Sequence, residues 1–213
     1  MKFFLFSDLH ANNKSLDNIV HYIKNNKLDA VIFAGDFVNM GEPILYAEKA
    51  IEKFKNLNIP FYWVPGNNDF GRSYYKLQAA IRSVEGRVAE VGCEKITGVG
   101  GSPASWAGQY QGEKIKEQIK IGGTYFISHV PPPGVHNWSK NDTHSPIGQK
   151  KNLLDSPKVH ICGHIHHQWG TAYLGSTKIV KLASSEHGHA ALIDTDDLSV
   201  EFIKVGNKSV LED

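Results

Sequence analysis

Residues 2–36 read KFFLFSDLHANNKSLDNIVHYIKNNKLDAVIFAGD, and the fold class follows from this stretch. Lys2–Ser7 is a short apolar run of strand type. Leu16, Ile19, Val20 and Ile23 then recur at i, i+3, i+4 and i+7, the spacing of one face of an amphipathic helix. Ala30–Ala34 is a second buried-strand run. A strand–helix–strand unit of this length favours parallel pairing. Both strands end on polar residues, Ser7-Asp8-Leu9-His10 after the first and Gly35-Asp36 after the second.

Working outward, the alternation continues. A second helix is expected from Glu42 to Leu57, with Pro43 in its first turn and Leu45, Ile51 and Phe54 on its apolar face. Ile59–Val64 reads as a third strand and Ser73–Ser83 as a third helix. The second half is richer in strands, at Lys95–Val99, Thr124–Ser128, Val159–Cys162, Lys178–Leu182, Ala190–Ile193 and Ser199–Val205. Helices are expected there at Glu113–Lys120 and Ile147–Leu154, and the last three strands are expected to form antiparallel hairpins. Two packed sheets with helices outside fit this order, one mostly parallel and one mixed. No repeat or linker divides the chain, so residues 1–213 are expected to form a single α/β domain. The loops 100–112 and 130–146 are long enough to serve as lids or binding loops.

Composition narrows the function. The 213 residues carry 23 Lys+Arg against 22 Asp+Glu, a formal charge of +1, which argues against long nucleic acid as a partner. Two cysteines, Cys93 and Cys162, are too few for a disulfide framework and point to a reducing, cytoplasmic setting. The apolar run at the start is stopped by Asp8 and His10, too short for a signal segment, and no run is long enough to span a membrane. Histidine is the conspicuous residue, with 11 copies. It is the commonest metal ligand and the usual acid–base group near neutrality.

Five polar clusters follow expected strands: Asp8 with His10, Asp36, Gly66-Asn67-Asn68-Asp69, His129, and His164 with His166. Ligands of open α/β sheets collect at the carboxyl ends of strands. In an extended segment i and i+2 point the same way, so Asp8 and His10 are expected to meet one ion. Two carboxylates, one amide oxygen and four imidazoles suit Mn, Fe, Zn, Co or Ni rather than a pure Mg or Ca cage, with Mn favoured. Seven donors are too many for one tetrahedral ion but suit two if a carboxylate bridges. Two divalent ions, Asp8, Asp36 and a hydroxide sum to about +1, which attracts a phosphate ester without Arg or Lys. A single structural ion at His164 and His166 would leave Asp8, His10 and Asn67 unexplained.

The ordered pattern Asp8-x-His10, Gly35-Asp36, Gly66-Asn67-x-Asp69, His129, Gly163-His164-x-His166 resembles that of the calcineurin-like metallophosphoesterase family. The resemblance implies a four-layer α/β/β/α sandwich with two mixed β-sheets and a dinuclear centre. It implies Asp8, His10 and His166 on one ion, Asn67, His129 and His164 on the other, and Asp36 bridging. A metal-bridging hydroxide then attacks phosphorus in line. The Pro-rich segment from His129 through Pro131 and Pro133 to His144 and Gly148 is similar to a loop of small prokaryote-type members.

One position departs from the family. Asn68 stands where the family has a histidine that contacts the phosphate and can protonate the leaving group. Asn68 can donate a hydrogen bond to a phosphoryl oxygen but cannot deliver a proton at neutral pH. Small members with another residue here resemble phosphodiesterases more than protein phosphatases. The expected activity is therefore hydrolysis of a phosphodiester or small phosphomonoester, including a nucleotide, with the diester favoured. Replacement acids are His136, His144, His187, His189 or a metal-bound water. His136, His144 and Trp138 are candidate substrate contacts, and Trp106, Tyr110 and Trp138 candidate stacking surfaces. Asp69 either orients a group of the metal site or caps a turn. His21 and His160 are read as structural, His167 as pointing away from the site, and Cys162 as a small buried hydrophobe. The competing function is a metal-binding scaffold that kept the fold and acts through a protein partner.

Overall fold

The computed structural model describes residues 1–41, 44–69, 81–101, 125–132 and 157–206. Its strands are β1 Lys2–Phe6, β2 Ala30–Phe33, β3 Phe61–Trp63, β4 Arg82–Ser83, β5 Val88–Val91, β6 Glu94–Val99, β7 Tyr125–Ser128, β8 Val159–Cys162, β9 Gly170–Leu174, β10 Thr177–Lys181, β11 His189–Asp194 and β12 Val200–Lys204. The helices are α1 Asn13–Asn25 and α2 Ile44–Lys55, with a 3-10 turn at Ser185–His187. One six-stranded sheet has the order β12-β11-β1-β2-β3-β4 and the other β5-β6-β7-β8-β10-β9. Both are mixed. β1, β2, β3 and β4 are mutually parallel, as are β6, β7, β8 and β10, while β11, β12, β5 and β9 run antiparallel to their neighbours.

The unbroken apolar run of β1 is explained by burial on both faces, as expected of an interior strand covered on both sides of its sheet. Phe4 and Phe6 face the helices with Leu16, Ile19, Ile51 and Phe54. Phe3 and Leu5 face the second sheet, where they meet Tyr125, Ile127 and Ile161. Helix α1 starts where the Asn12 side chain accepts from the Ser15 N–H at 3.0 Å. Its buried Leu16, Ile19, Val20 and Ile23 contribute about 1.5–3 kcal/mol each. The layers are therefore helix, sheet and sheet. The two helices expected at 113–120 and 147–154 lie outside the described residues, as does most of the one expected at 73–83.

Three expectations are corrected. Arg82 and Ser83 belong to a strand rather than to the end of a helix. β10 and β11 do not form a hairpin. β10 pairs antiparallel with β9, which turns back through Gly175 and Ser176, and β11 lies in the other sheet against β1 and β12. Only the last hairpin, β11 with β12, is as expected. The first sheet is also less parallel than expected, because β11 and β12 extend it beyond β1.

His160 is fully buried in β8, with Nε2 2.6 Å from Ser128 Oγ. The Ser128 hydroxyl donates to the Val130 carbonyl at 2.7 Å, so the imidazole donates from Nε2. Burial pushes the His160 pKa down to about 3. The unfolded chain binds a proton below its ordinary pKa of about 6.5 and the folded chain does not, so stability is lost as pH falls from there towards 3. Urea titrations should show the stability advantage of wild type over His160→Gln shrinking by about 2 kcal/mol between pH 7 and pH 5. An advantage independent of pH would refute this assignment.

Candidate metal centre

The carboxyl ends of β1, β2, β3, β7 and β8 converge on one place, and the backbone there is contorted. Asp8, His10, Asp36 and His164 all have left-handed φ values, 55°, 47°, 64° and 73°. Such conformations cost on the order of 1–3 kcal/mol each for residues with a side chain and gather at functional sites. Here the cost is offset by cross-links between loops. The Asp8 N–H donates to the Gly35 carbonyl at 2.8 Å, and the Leu9 and His10 N–H groups donate to the Asp36 carbonyl at 2.8 and 3.2 Å. Asp8 and His10 do come together, but through left-handed turns after β1 has ended, not through extended i, i+2 alternation.

The side chains form two overlapping groups, Asp8–His10–His166 and Asp8–Asp36–His129. Asp8 Oδ1 is buried without a hydrogen-bond partner. It faces Nε2 of His166 at 3.4 Å, of His10 at 3.7 Å and of His129 at 4.0 Å. Asp8 Oδ2 is used differently, accepting from the His164 N–H at 2.9 Å. Asp36 Oδ2 lies between the groups, 3.3 Å from His129 Nε2 and 4.0 Å from His10 Nε2. Asn67 Oδ1 is 3.0 Å and His164 Nδ1 3.2 Å from His129 Nε2. His10 Nε2 and His166 Nε2 stand 2.9 Å apart. All seven expected ligands thus sit in one cluster. His164 and His166 separate, His164 turning to His129 and His166 to Asp8 and His10.

Electrostatics follow from this crowding. Burial opposes ionisation of Asp8, but His10, His166 and His129 hold its carboxyl well below the usual range. Burial likewise opposes charge on His129, yet Asp36, Asp8 and the Ala34 carbonyl raise its pKa to about 10. His164 is pushed down to about 4, first by burial and then by the His129 charge. Protons and a metal cation compete for these nitrogens, so loading the site releases protons.

Surrounding groups set the orientation. His129 Nδ1 is 2.8 Å from the Ala34 carbonyl, which fixes the ring with Nε2 inward. Asp69 is fully buried and accepts from the N–H groups of Asp36, Phe37, Val38 and Gly66 at 2.6–3.3 Å. It therefore both caps a turn and holds the backbone of Asp36. Burial and the Asp36 charge push its pKa up to about 7 against those donors. Asn68 donates to Asp36 twice, from its backbone N–H at 2.8 Å and from Nδ2 at 2.9 Å. Its side-chain amide is thus engaged with Asp36, where the sequence suggested a phosphoryl oxygen. Gly163 is required by close approach, since a Cβ there would lie 2.5 Å from Asp8 Oδ2 and from Ser7 Oγ.

The other candidates belong to neither group of clustered side chains among the described residues. His187 and His167 are exposed, and His189 begins β11 with its ring 5.0 Å from that of Trp169. His21 is exposed on α1. Cys162 is buried, and burial pushes its thiol up to about 12. His136, His144, Trp138, Trp106 and Tyr110 lie outside the described residues. Ser184, Ser185 and Glu186, not singled out in the sequence, bond to the backbone of Ser7 and Asp8. The signal available was a Ser-Ser pair separated by two residues from a buried strand.

Comparison with known proteins bears on this geometry. The TT1561 protein of Thermus thermophilus superposes with a TM-score of 0.77 at 16% identity, covering 95% of this chain and 98% of that one. A structure described as a novel archaeal phosphodiesterase gives 0.56 at 16% identity over 96% and 99%. Yfce, a phosphoesterase from E. coli, gives 0.51 at 14% identity over 97% and 100%. At these identities the likeness is one of fold. Among curated proteins none matches the chain by sequence. No helix among the described residues is long and apolar enough to cross a membrane. A family model, that of the calcineurin-like phosphoesterases, matches residues 1–168, most of the chain and all five polar clusters, and the chain therefore belongs to that family.

Proposed function

We propose that the chain hydrolyses a phosphodiester or small phosphomonoester, the diester favoured, with two divalent transition-metal ions at the cluster. The observation that carries this is Asp8 Oδ1, a buried acceptor without a hydrogen bond and ringed by three imidazole nitrogens at 3.4–4.0 Å. A buried carboxylate oxygen without a donor is costly, and a cation held jointly with those nitrogens satisfies it. Asp8, His10 and His166 would hold one ion, Asn67, His129 and His164 the other, with Asp36 shared. Such ions, Mn favoured, supply Lewis acidity towards a phosphoryl oxygen and lower the pKa of a water molecule.

The chain's own residues position and shield. The Ala34 carbonyl and Asn68 hold His129 and Asp36 in fixed orientations, so little reorganisation accompanies reaction. Asn68 has no proton to give at neutral pH, which favours esters with good leaving groups. The archaeal relative in fold being described as a phosphodiesterase is consistent with the diester preference. The same reading keeps the protein in the cytoplasm, where Cys93 and Cys162 remain thiols.

The test is metal analysis after Mn reconstitution, followed by assay on bis- and mono-(p-nitrophenyl) phosphate. Two ions per chain and diester hydrolysis are expected. Chelation should abolish turnover and lower the thermal midpoint by about 10–20 °C, as expected for two ions each present at about 100 times its Kd. Metal content well below two per chain, or inactivity on both esters, would count decisively against the proposal.

A further inference from the structure

Ser184 lies beyond the residues matched by the family model, in the segment that carries the chain from β10 in one sheet to β11 in the other. It is fully buried. Its hydroxyl donates to the Asp8 carbonyl at 2.8 Å and accepts from the Glu186 N–H at 3.2 Å. Its own N–H donates to the His166 carbonyl at 3.1 Å. One residue therefore grips the backbone of both Asp8 and His166, which come from different sheets. The side chains of those two residues meet at 3.4 Å in the same group as His10. The Asp8 carbonyl also accepts from the Glu186 N–H at 3.0 Å, so the left-handed Asp8 is held from this side by two donors. The other group is held differently, Asp36 by Asp69 and Asn68, and His129 by the Ala34 carbonyl.

We propose that Ser184 is a positioning residue for one half of the centre. Its hydroxyl and N–H set the separation of Asp8 and His166, and so the affinity of the ion on Asp8, His10 and His166. This rests on the metal-site reading above. Removing the hydroxyl leaves the Asp8 carbonyl with Glu186 alone and lets the two loops part. The ion on Asn67, His129 and His164 depends less on this bridge, because the Ala34 carbonyl anchors His129 independently and only the His164 N–H bonds to Asp8.

Ser185 supplies the control. Its hydroxyl donates to the His189 carbonyl at 2.8 Å and accepts from the Ser7 N–H at 3.2 Å, within the same segment but without touching Asp8 or His166. Manganese titration of Ser184→Ala should show one of two ions weakened about 10–100-fold, the range for groups that orient a ligand. Ser184→Thr, which keeps the hydroxyl, should recover much of it, and Ser185→Ala should bind both ions as wild type does. A second readout needs no metal. The His164 amide, which donates to Asp8 Oδ2, should exchange its hydrogen faster in Ser184→Ala than in Ser185→Ala when each is referred to its global unfolding. Wild-type binding of both ions by Ser184→Ala, equal weakening by Ser184→Ala and Ser185→Ala, or unchanged His164 exchange would overturn the proposal. If wild type itself binds fewer than two ions, the dinuclear reading fails, and hydrogen exchange still decides the role of Ser184.

Discussion

Asp36→Asn is expected to lower kcat/KM on bis-(p-nitrophenyl) phosphate by more than about 100-fold, the upper end for groups that merely support a ligand. Asp36 is 2% exposed, and its Oδ2 stands between the two halves of the centre. The substitution keeps the shape and removes the negative charge that the two proposed cations would share. It also creates a conflict. The Asp36 oxygens accept from two Asn68 donors, and an amide at position 36 can present an acceptor to only one of them. Metal content should fall below two per chain at Mn concentrations that saturate wild type. Unimpaired turnover with the substitution in place would sink the hydrolytic mechanism. A chain that acts only as a scaffold would keep its partner in this variant, so binding and turnover separate the two functions.

Gly66→Ala should be nearly as damaging, and for a steric reason. A Cβ on Gly66 would lie 2.0 Å from Asp36 Oδ1 and 2.4 Å from the Asp36 N. Neither atom can yield, because Asn68 holds the carboxylate and Asp69 holds the N–H. The Gly66 N–H is itself tied to Asp69 at 2.9 Å. The loop after β3 must therefore move as a unit, taking Asn67 and Asn68 with it. Overpacking of this kind costs about 1–3 kcal/mol or more. For a chain of this length that is a fall of about 3–10 °C in the thermal midpoint of the metal-free protein. Gly41→Ala is the comparison. Its φ of +80° is strained for alanine, but nothing lies within 4 Å. It should cost about 1–2 kcal/mol and leave metal content and turnover unchanged. Equal loss of metal by the two variants would show that the approach of Gly66 to Asp36 is not what matters.

The parts of this molecule legible in its sequence are those written in runs of apolar residues. β1, β2, β7 and β8 are buried on both faces, so their boundaries appear as abrupt changes from Phe, Ile and Val to Asp, His and Gly. The site residues follow those boundaries directly, which is why the cluster could be assembled in order. Three of the four edge strands gave no such signal. β9 alternates half-buried and exposed residues, β5 has a single buried residue, and β4 is two residues long. Without β9 in view, the partner of β10 was assigned to the wrong side. The site's backbone was equally silent. Nothing in Asp8-Leu9-His10 announces left-handed φ values, which are imposed by carbonyl and N–H partners at Gly35, Asp36 and Ser184 far along the chain. Asp8 and His10 share one group of side chains, brought together by left-handed turns rather than by the extended alternation expected of them.

The placement of β1 between β2 and β11 has a consequence in time. On the ribosome β1 is made long before its second neighbour, and Ser7 and Ser185, which bond in the finished protein, are 178 residues apart. At the usual pace of about 5–20 residues per second, that interval lasts on the order of 10–35 s. Throughout it, the Phe3–Phe6 strand has one open edge, and the Asp8 turn lacks the donors that hold it. All seven residues of the cluster emerge earlier than the segment that locks two of them together. A nascent or prematurely terminated chain ending before Ser184 thus carries all seven candidate ligands without the bridge between Asp8 and His166, and the Asp8–His10–His166 group is completed only with the last hairpin.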